Sequence, residues 1–276
     1  MGTYRGWIRA AALCLAVGAL ASCATGGRVT YSGGTLEELT PEDEKRGHDL
    51  AVEGMRLLKG ADSVRLAVHA GDGAKARNAV VHMDRDGNCK GTYDLGPAER
   101  GDLIVVADGA AYARYTDESL DALAAMGARR GPAAAAGIKQ RTDLARGKYL
   151  KLPAAAGTSG AANPMKSCDL ETLTSSMPTE PKADETFKAL AETRRYGQDV
   201  VPVVGEQDGQ RMTMYVATTG KPYVVAVRQV EHGETMTMRL SAYDEPVGAV
   251  APPAERTLDL TRFAPEGGGG GSLFEV

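Results

Sequence analysis

The hydrophobic period of this chain changes at Ser63, and that change constrains the fold more than any other feature. Before it, Thr40-Pro41-Glu42-Asp43 carries the signals of a helix start: a capping threonine, a proline suited to the first turn, and acids that complement the positive end of the helix dipole. Leu50, Val52, Met55, Leu57 and Leu58 then make an amphipathic helix up to Gly60. After it, Val64, Leu66 and Val68 alternate with Ser63, Arg65 and Ala67, the pattern of a half-buried strand. A second strand runs through Val81 and Met83, Asp86-Gly87-Asn88 turns the chain back into Cys89–Leu95, and Asp108-Gly109 joins Leu103–Ala107 to Ala111–Tyr115. No segment here is long enough for a crossover helix, so the meander is expected to be antiparallel.

The middle third interrupts this pattern. Asp117–Met126 reads as a capped helix, Pro132–Leu144 as an Ala-rich one, and Gly147–Pro153 as a short strand. Ala154–Asn163 is a loop of small residues, and Asp169–Ser176 and Ala183–Glu192 read as short helices with Leu170, Leu173, Phe187 and Leu190 on their apolar faces. Alternation then returns: Met212, Met214 and Val216 against Arg211, Thr213 and Tyr215, a turn at Thr219–Pro222 into Tyr223–Val230, and a turn at Gly233 into Met236, Met238 and Leu240. Sheet on both sides of the interruption predicts an α+β fold with one sheet built from both halves, over residues 41–260.

Residues 1–22 have the form of a secretory signal: Arg5 and Arg9, the apolar run Ala10–Ala21, then small residues. The run is too short for a bilayer that needs about 20 residues. Leu20-Ala21-Ser22-Cys23 resembles the lipobox of bacterial lipoproteins. The resemblance implies cleavage before Cys23, a diacylglyceryl group with palmitate-type acyl chains on its thiol, and a cell-membrane location facing outside the cytoplasm. Residues 23–40 would then be the lipidated cysteine and a Gly/Ser/Thr-rich tether, and 261–276, with five consecutive glycines, a disordered tail.

Loss of residues 1–22 removes two arginines and no acid, moving the formal charge from -4 to -6. A mildly acidic domain lacks the basic footprint of nucleic-acid binding. The same cleavage removes Cys14, and acylation occupies Cys23, which leaves Cys89 and Cys168 as the remaining pair in an oxidising compartment. A disulfide is the natural reading, and two buried thiols are the alternative.

Signatures of chemistry are missing where they would be expected. Gly157-Thr158-Ser159-Gly160-Ala161 lacks the last glycine of a nucleophile elbow. Gly147-Lys148 lacks the earlier glycine of a phosphate loop. Asp84–Asn88 opens like a calcium loop but places Cys89 and Leu95 where glycine and glutamate belong. His48, His69, His82 and His232 are scattered, with no pair at catalytic or ligand spacing. We therefore expect no enzyme, no cofactor and no metal. The alternating methionines admit two readings, a plain core face or a pliable wall for acyl chains.

Four segments carry a family resemblance: Gly109-Ala110-Ala111-Tyr112, Gly147–Pro153, Tyr215–Tyr223, and Tyr243–Val247 ahead of Ala251-Pro252-Pro253. Together with the element order, they resemble the LolA/LppX-like lipoproteins of bacterial envelopes. The resemblance implies a single curved antiparallel sheet, a half-barrel, with helices over its concave face and lipid held there. Tyr149 stands where that family usually carries tryptophan. The expected ligand wall is Val64, Leu66, Val68, Met212, Met214, Val216, Met236, Met238 and Leu240, covered by helices at 41–58 and 117–126. The partners implied are the membrane, through the Cys23 anchor, and a lipid ligand. The alternative is an envelope module of the same fold with a filled cavity that binds a protein.

Overall fold

The structure is a computed structural model, which describes residues 40–107, 109–152, 168–175, 186–207, 210–231 and 233–261. Cys23, the tether, the loop at 154–163 and the glycine-rich tail lie outside the described residues. The elements are α1 (Pro41–Gly60), β1 (Ser63–Ala70), β2 (Arg77–Asp84), β3 (Cys89–Asp94), β4 (Arg100–Val105), β5 (Ala111–Tyr115), α2 (Asp117–Ala128), α3 (Pro132–Ala145), β6 (Tyr149–Leu152), α4 (Leu170–Ser175), β7 (Thr186–Ala189), β8 (Thr193–Arg195), β9 (Gln198–Gln207), β10 (Gln210–Ala217), β11 (Val224–Glu231), β12 (Glu234–Ser241) and β13 (Thr257–Asp259). The thirteen strands belong to one open, mostly antiparallel sheet, ordered β13-β6-β5-β4-β3-β2-β1-β12-β11-β10-β9-β7, with β8 on β9. The pairing of β13 with β6 is parallel, a departure from the all-antiparallel expectation.

The described chain divides into two compact units. The first holds β1–β6, α2–α4, β13 and most of β12. Its strands alternate cleanly. One face of the β1–β6 run carries Arg65, His82, Lys90, Asp102, Arg114 and Lys151, where Arg100 Nε donates to Asp94 at 2.8 Å, Arg114 donates to Asp102, and the Arg114 guanidinium lies 5.0 Å from the Tyr149 ring centre. The other face is apolar. Its register sets Leu240, Leu66, Val81, Gly91, Leu103, Ala113, Leu150 and Leu258 in one row across eight strands. Leu120 of α2 and Ala145 of α3 pack with Leu150 at the β6 end of this row.

Helix α2 starts at Thr116, whose hydroxyl accepts from Ser119 N at 3.2 Å. Ser119 itself is fully buried, and its hydroxyl accepts from Arg100 N at 2.9 Å and donates to the Pro97 carbonyl at 3.2 Å. A buried hydroxyl with both capacities used fixes the helix to the β3–β4 turn at no desolvation cost. Cys89 and Cys168 form a disulfide, with their Cα atoms 5.4 Å apart, and so hold the start of α4 against β3.

The second unit holds α1 and β7–β11. Thr40 caps α1 reciprocally: its hydroxyl accepts from Asp43 N at 3.3 Å, and the Asp43 carboxylate accepts from Thr40 N at 2.8 Å. That backbone hydrogen bond holds the Asp43 carboxyl below its ordinary range. Buried Gly47, Ala51, Gly54 and Leu58 line one side of α1, and this glycine-bearing stripe lies on β7, β9, β10 and β11. The opposite side of β10 is closed as well, by Val200, Tyr215, Ala217, Val225 and Ala226.

One expected helix is a strand. Residues 186–189 pair with β9, Phe187 opposite Gly205 and Ala189 opposite Val203, instead of forming a helix over Ala183–Glu192.

Candidate functional site

The apolar face of the first unit is not uniformly closed. Val64, Met83, Cys89, Val105 and Ala111 make one buried row, and Leu240 to Leu150, buried except at the half-buried Gly91, the next. The third row, Met238, Val68, Ala79, Tyr93, Gly101 and Tyr115, is half-buried except at the buried Gly101. Met236, one step further along β12, is also half-buried. Exposure therefore rises along β1 from Val64 (0%) through Leu66 (8%) to the partly open Val68, leaving an apolar strip that water reaches. Such a strip is where an apolar ligand would gain about 25 cal/mol for each Å² it covers.

The nine expected wall residues divide accordingly. Val64, Leu66, Val68, Met236, Met238 and Leu240 stand on this face of the β1–β12 pair, with Leu66 opposite Leu240 and Val68 opposite Met238. Met212, Met214 and Val216 stand in the second unit, where Met214 and Val216 are buried. A Cβ placed on Gly54 of α1 would lie 3.9 Å from Val216 Cγ2, so the helix rests directly on that residue. Val216→Phe is therefore expected to behave as overpacking, lowering stability by about 1–3 kcal/mol in urea denaturation. A stability equal to the parent's would show that space exists under α1.

Two residues of the half-buried row carry polar groups that the sequence reading did not single out. Tyr93 and Tyr115 meet edge to face, ring centres 6.5 Å apart. Burial raises both phenols, Tyr93 strongly and Tyr115 to about 12. The exposed Glu99, in the turn between β3 and β4, adds to both shifts through its charge. Only pairing register brings Tyr93 opposite Gly101 and Gly101 opposite Tyr115, which is why neither tyrosine was legible as part of a site.

Among the described residues, no cluster of three or more His, Cys, Asp or Glu stands where a metal ion would be held. Burial, and then the charges of the neighbouring Lys90 and Arg65, hold the His82 imidazole below its ordinary range. No described helix is long and apolar enough to cross a membrane.

No family model matches the chain, and no curated protein sequence matches it. Solved structures do. LprF from Mycobacterium bovis is 13% identical, with 78% of this chain and 99% of that one covered at a TM-score of 0.51. The chain has the LolA/LppX-like lipoprotein fold. The Mycobacterium tuberculosis lipoprotein LppX is 12% identical over 75% of this chain and all of that one, at a TM-score of 0.43. A LolA-superfamily protein from Nitrosomonas europaea aligns over 77% of this chain and 96% of its own at 9% identity and a TM-score of 0.27.

Proposed function

We propose that this chain is a membrane-anchored lipoprotein, facing outside the cytoplasm, that binds or carries a lipid or another apolar molecule without chemical turnover. The observation that supports the ligand is the half-buried row from Met238 to Tyr115, an apolar strip beside the two closed rows of the same face. The LolA/LppX-like fold agrees with it. In this reading, residues 1–22 are a signal, Cys23 carries a diacylglyceryl group, 23–40 are a tether, 41–260 are the ligand-binding domain and 261–276 are a tail. The wall comprises Val68, Met236 and Met238 at the open end, with Val64, Leu66 and Leu240 behind them. Val216 lies under α1 in the second unit, and Met212 and Met214 stand on the same face of β10. The burial of Met214 and Val216 favours, for that unit, the rival reading of a filled module whose surface binds a protein.

The two halves of the proposal have separate tests. Two acyl chains at about 0.8 kcal/mol per buried methylene attach a protein stably, so Cys23→Ser should move it from the detergent phase to the aqueous phase on partitioning. Equal partitioning of parent and variant would reject the anchor. Organic extraction of the purified Cys23→Ser chain should yield lipid, and Val68→Asp should reduce it. An extract from the parent that contains no lipid would leave the protein-binding module as the better reading.

A further inference from the structure

Residues 242–256 join β12 to β13 as a strap across the polar face of the first unit, which is how β13 comes to lie parallel to β6. The strap is tied to β1, where Asp244 N donates to the Ser63 carbonyl at 3.0 Å and Ser63 Oγ donates to the Glu245 carbonyl at 2.5 Å, and to β3, where Lys90 Nζ donates to the Gly248 carbonyl at 3.4 Å. Strand β2 lies between those two, so the strap crosses it at His82, the residue opposite Arg65 on one side and Lys90 on the other. Its hold is strained as well as narrow. Ala242 and Asp244 take left-handed backbone angles, φ 51° and 62°, and between Ala242 and Arg256 only Val247 is buried.

Among the described residues, Nε2 of His82 is the one buried side-chain polar atom with no hydrogen-bond partner. A neutral ring tolerates this by keeping its proton on Nδ1 and leaving Nε2 as a bare lone pair. A charged ring does not, because both nitrogens then carry protons, and a buried N–H without an acceptor keeps its full desolvation penalty. Arg65 and Lys90, directly opposite, add like charge. Glu245 on the strap and Asp84 on β2 are the acids that act on the ring, and each acts less than either cation.

We propose that His82 is a proton-operated latch: the strap lies closed over the neutral imidazole and opens, taking β13 with it, when the ring is protonated. Strand β13 follows because it is an edge strand of three residues that pairs with β6 alone. Leu258 and Leu260 pack on Leu120, Ala145 and Leu150, so opening also loosens the seat of α2 and α3. The direction with pH is fixed. Burial, then Lys90 and Arg65, hold the covered ring below its ordinary range, so closure is fully present above the free-imidazole value of about 6.5 and is lost as the pH falls towards the lower value of the closed state. The latch does not depend on a bound lipid.

Hydrogen exchange of the full chain carrying Cys23→Ser, followed by mass spectrometry from about pH 7.5 to about pH 5 and corrected for intrinsic exchange, tests this in a range where ordinary carboxylates stay ionised. Peptides over 242–261 report the Asp244 N–H and the Leu260 N–H, which donates to the Lys151 carbonyl at 3.0 Å. Their protection should fall by up to about tenfold for each pH unit below about 6.5, the slope of one proton, while β9 and β10 keep theirs. His82→Gln should hold strap protection constant over the same range, and Arg65→Gln, at an exposed position, should make the fall smaller. Protection in the parent that does not change with pH overturns the latch, as does a fall in His82→Gln equal to the parent's, since the proton then acts elsewhere. Loss of protection in β9 and β10 together with the strap also overturns it, because the whole fold is then opening. If His82→Gln does not fold, Arg65→Gln decides alone: a smaller fall supports the latch and an unchanged one overturns it.

Discussion

Replacing Cys89 and Cys168 together by alanine should lower the stability of the domain by about 2–5 kcal/mol, read as a shift in urea midpoint. The bridge joins positions 79 residues apart, and closing a span of that length removes unfolded-state entropy worth about 4 kcal/mol. Local contacts offer little replacement. Helix α4 has only six residues, well below the length at which an isolated helix holds in water. Asp169 caps it by accepting from Thr172 N at 3.0 Å, and Glu171 pairs with Arg85, which also donates to the Ala61 carbonyl at 2.9 Å. The Glu171 side chain is 69% exposed, so that ion pair contributes at most about 1 kcal/mol. Leu170 is fully buried, and Thr174 satisfies its own hydroxyl by donating to the Leu170 carbonyl at 2.8 Å. Without the bridge, burial of Leu170 and Thr174 and the exposed Arg85–Glu171 pair must hold α4. With it, both half-cystines are buried, so a reductant should act only once denaturant opens the fold. Alkylation of two thiols in unreduced native protein would refute the pairing.

The sequence carried much of this architecture, and where it failed the cause is physical. Thr40 and Asp43 announced α1 because a cap is a local device. Val64, Leu66 and Val68 announced β1 because one face is buried and the other polar. Phe187 misled because Ala183–Glu192 is rich in helix-forming residues; pairing with β9 overrides that preference, setting Phe187 against Gly205. Strand β9 escaped notice for the opposite reason. Val200-Val201-Pro202-Val203-Val204 does not alternate, since Val201 and Val203 share the α1 side with Val216 and Met214 while Val200 packs with Tyr215 and Ala217 on the other. Pro202 offers no N–H to the ladder, yet its carbonyl accepts from Leu190 N at 2.8 Å. The three residues of β13 are too few for any period to show. The candidate site was half legible: β1 and β12 displayed their apolar residues, but Tyr93, Gly101 and Tyr115 become neighbours only through register across β3, β4 and β5.

Gly47→Ala should destabilise the protein by about 1–3 kcal/mol, even though alanine is the better helix former by about 1 kcal/mol. A Cβ at position 47 would stand 2.6 Å from both Ala189 N and the Phe187 carbonyl oxygen, and 2.7 Å from the carbonyl carbon. These are backbone atoms of β7, and no rotamer change moves them. Either α1 lifts from the strand, which loosens the cover over Val216 and Val224, or β7 withdraws and strains its pairing with β9. Gly54→Ala is the control. Its Cβ would meet Val224 Cγ2 at 2.9 Å and the Pro222 carbonyl oxygen at 3.4 Å, so the closest conflict is with a side chain that can shift by a few tenths of an ångström. The propensity gain there offsets more of the cost, and the second variant should be the milder of the two in urea denaturation. A Gly47→Ala protein as stable as its parent, or less affected than Gly54→Ala, would mean that α1 does not approach β7 this closely in solution.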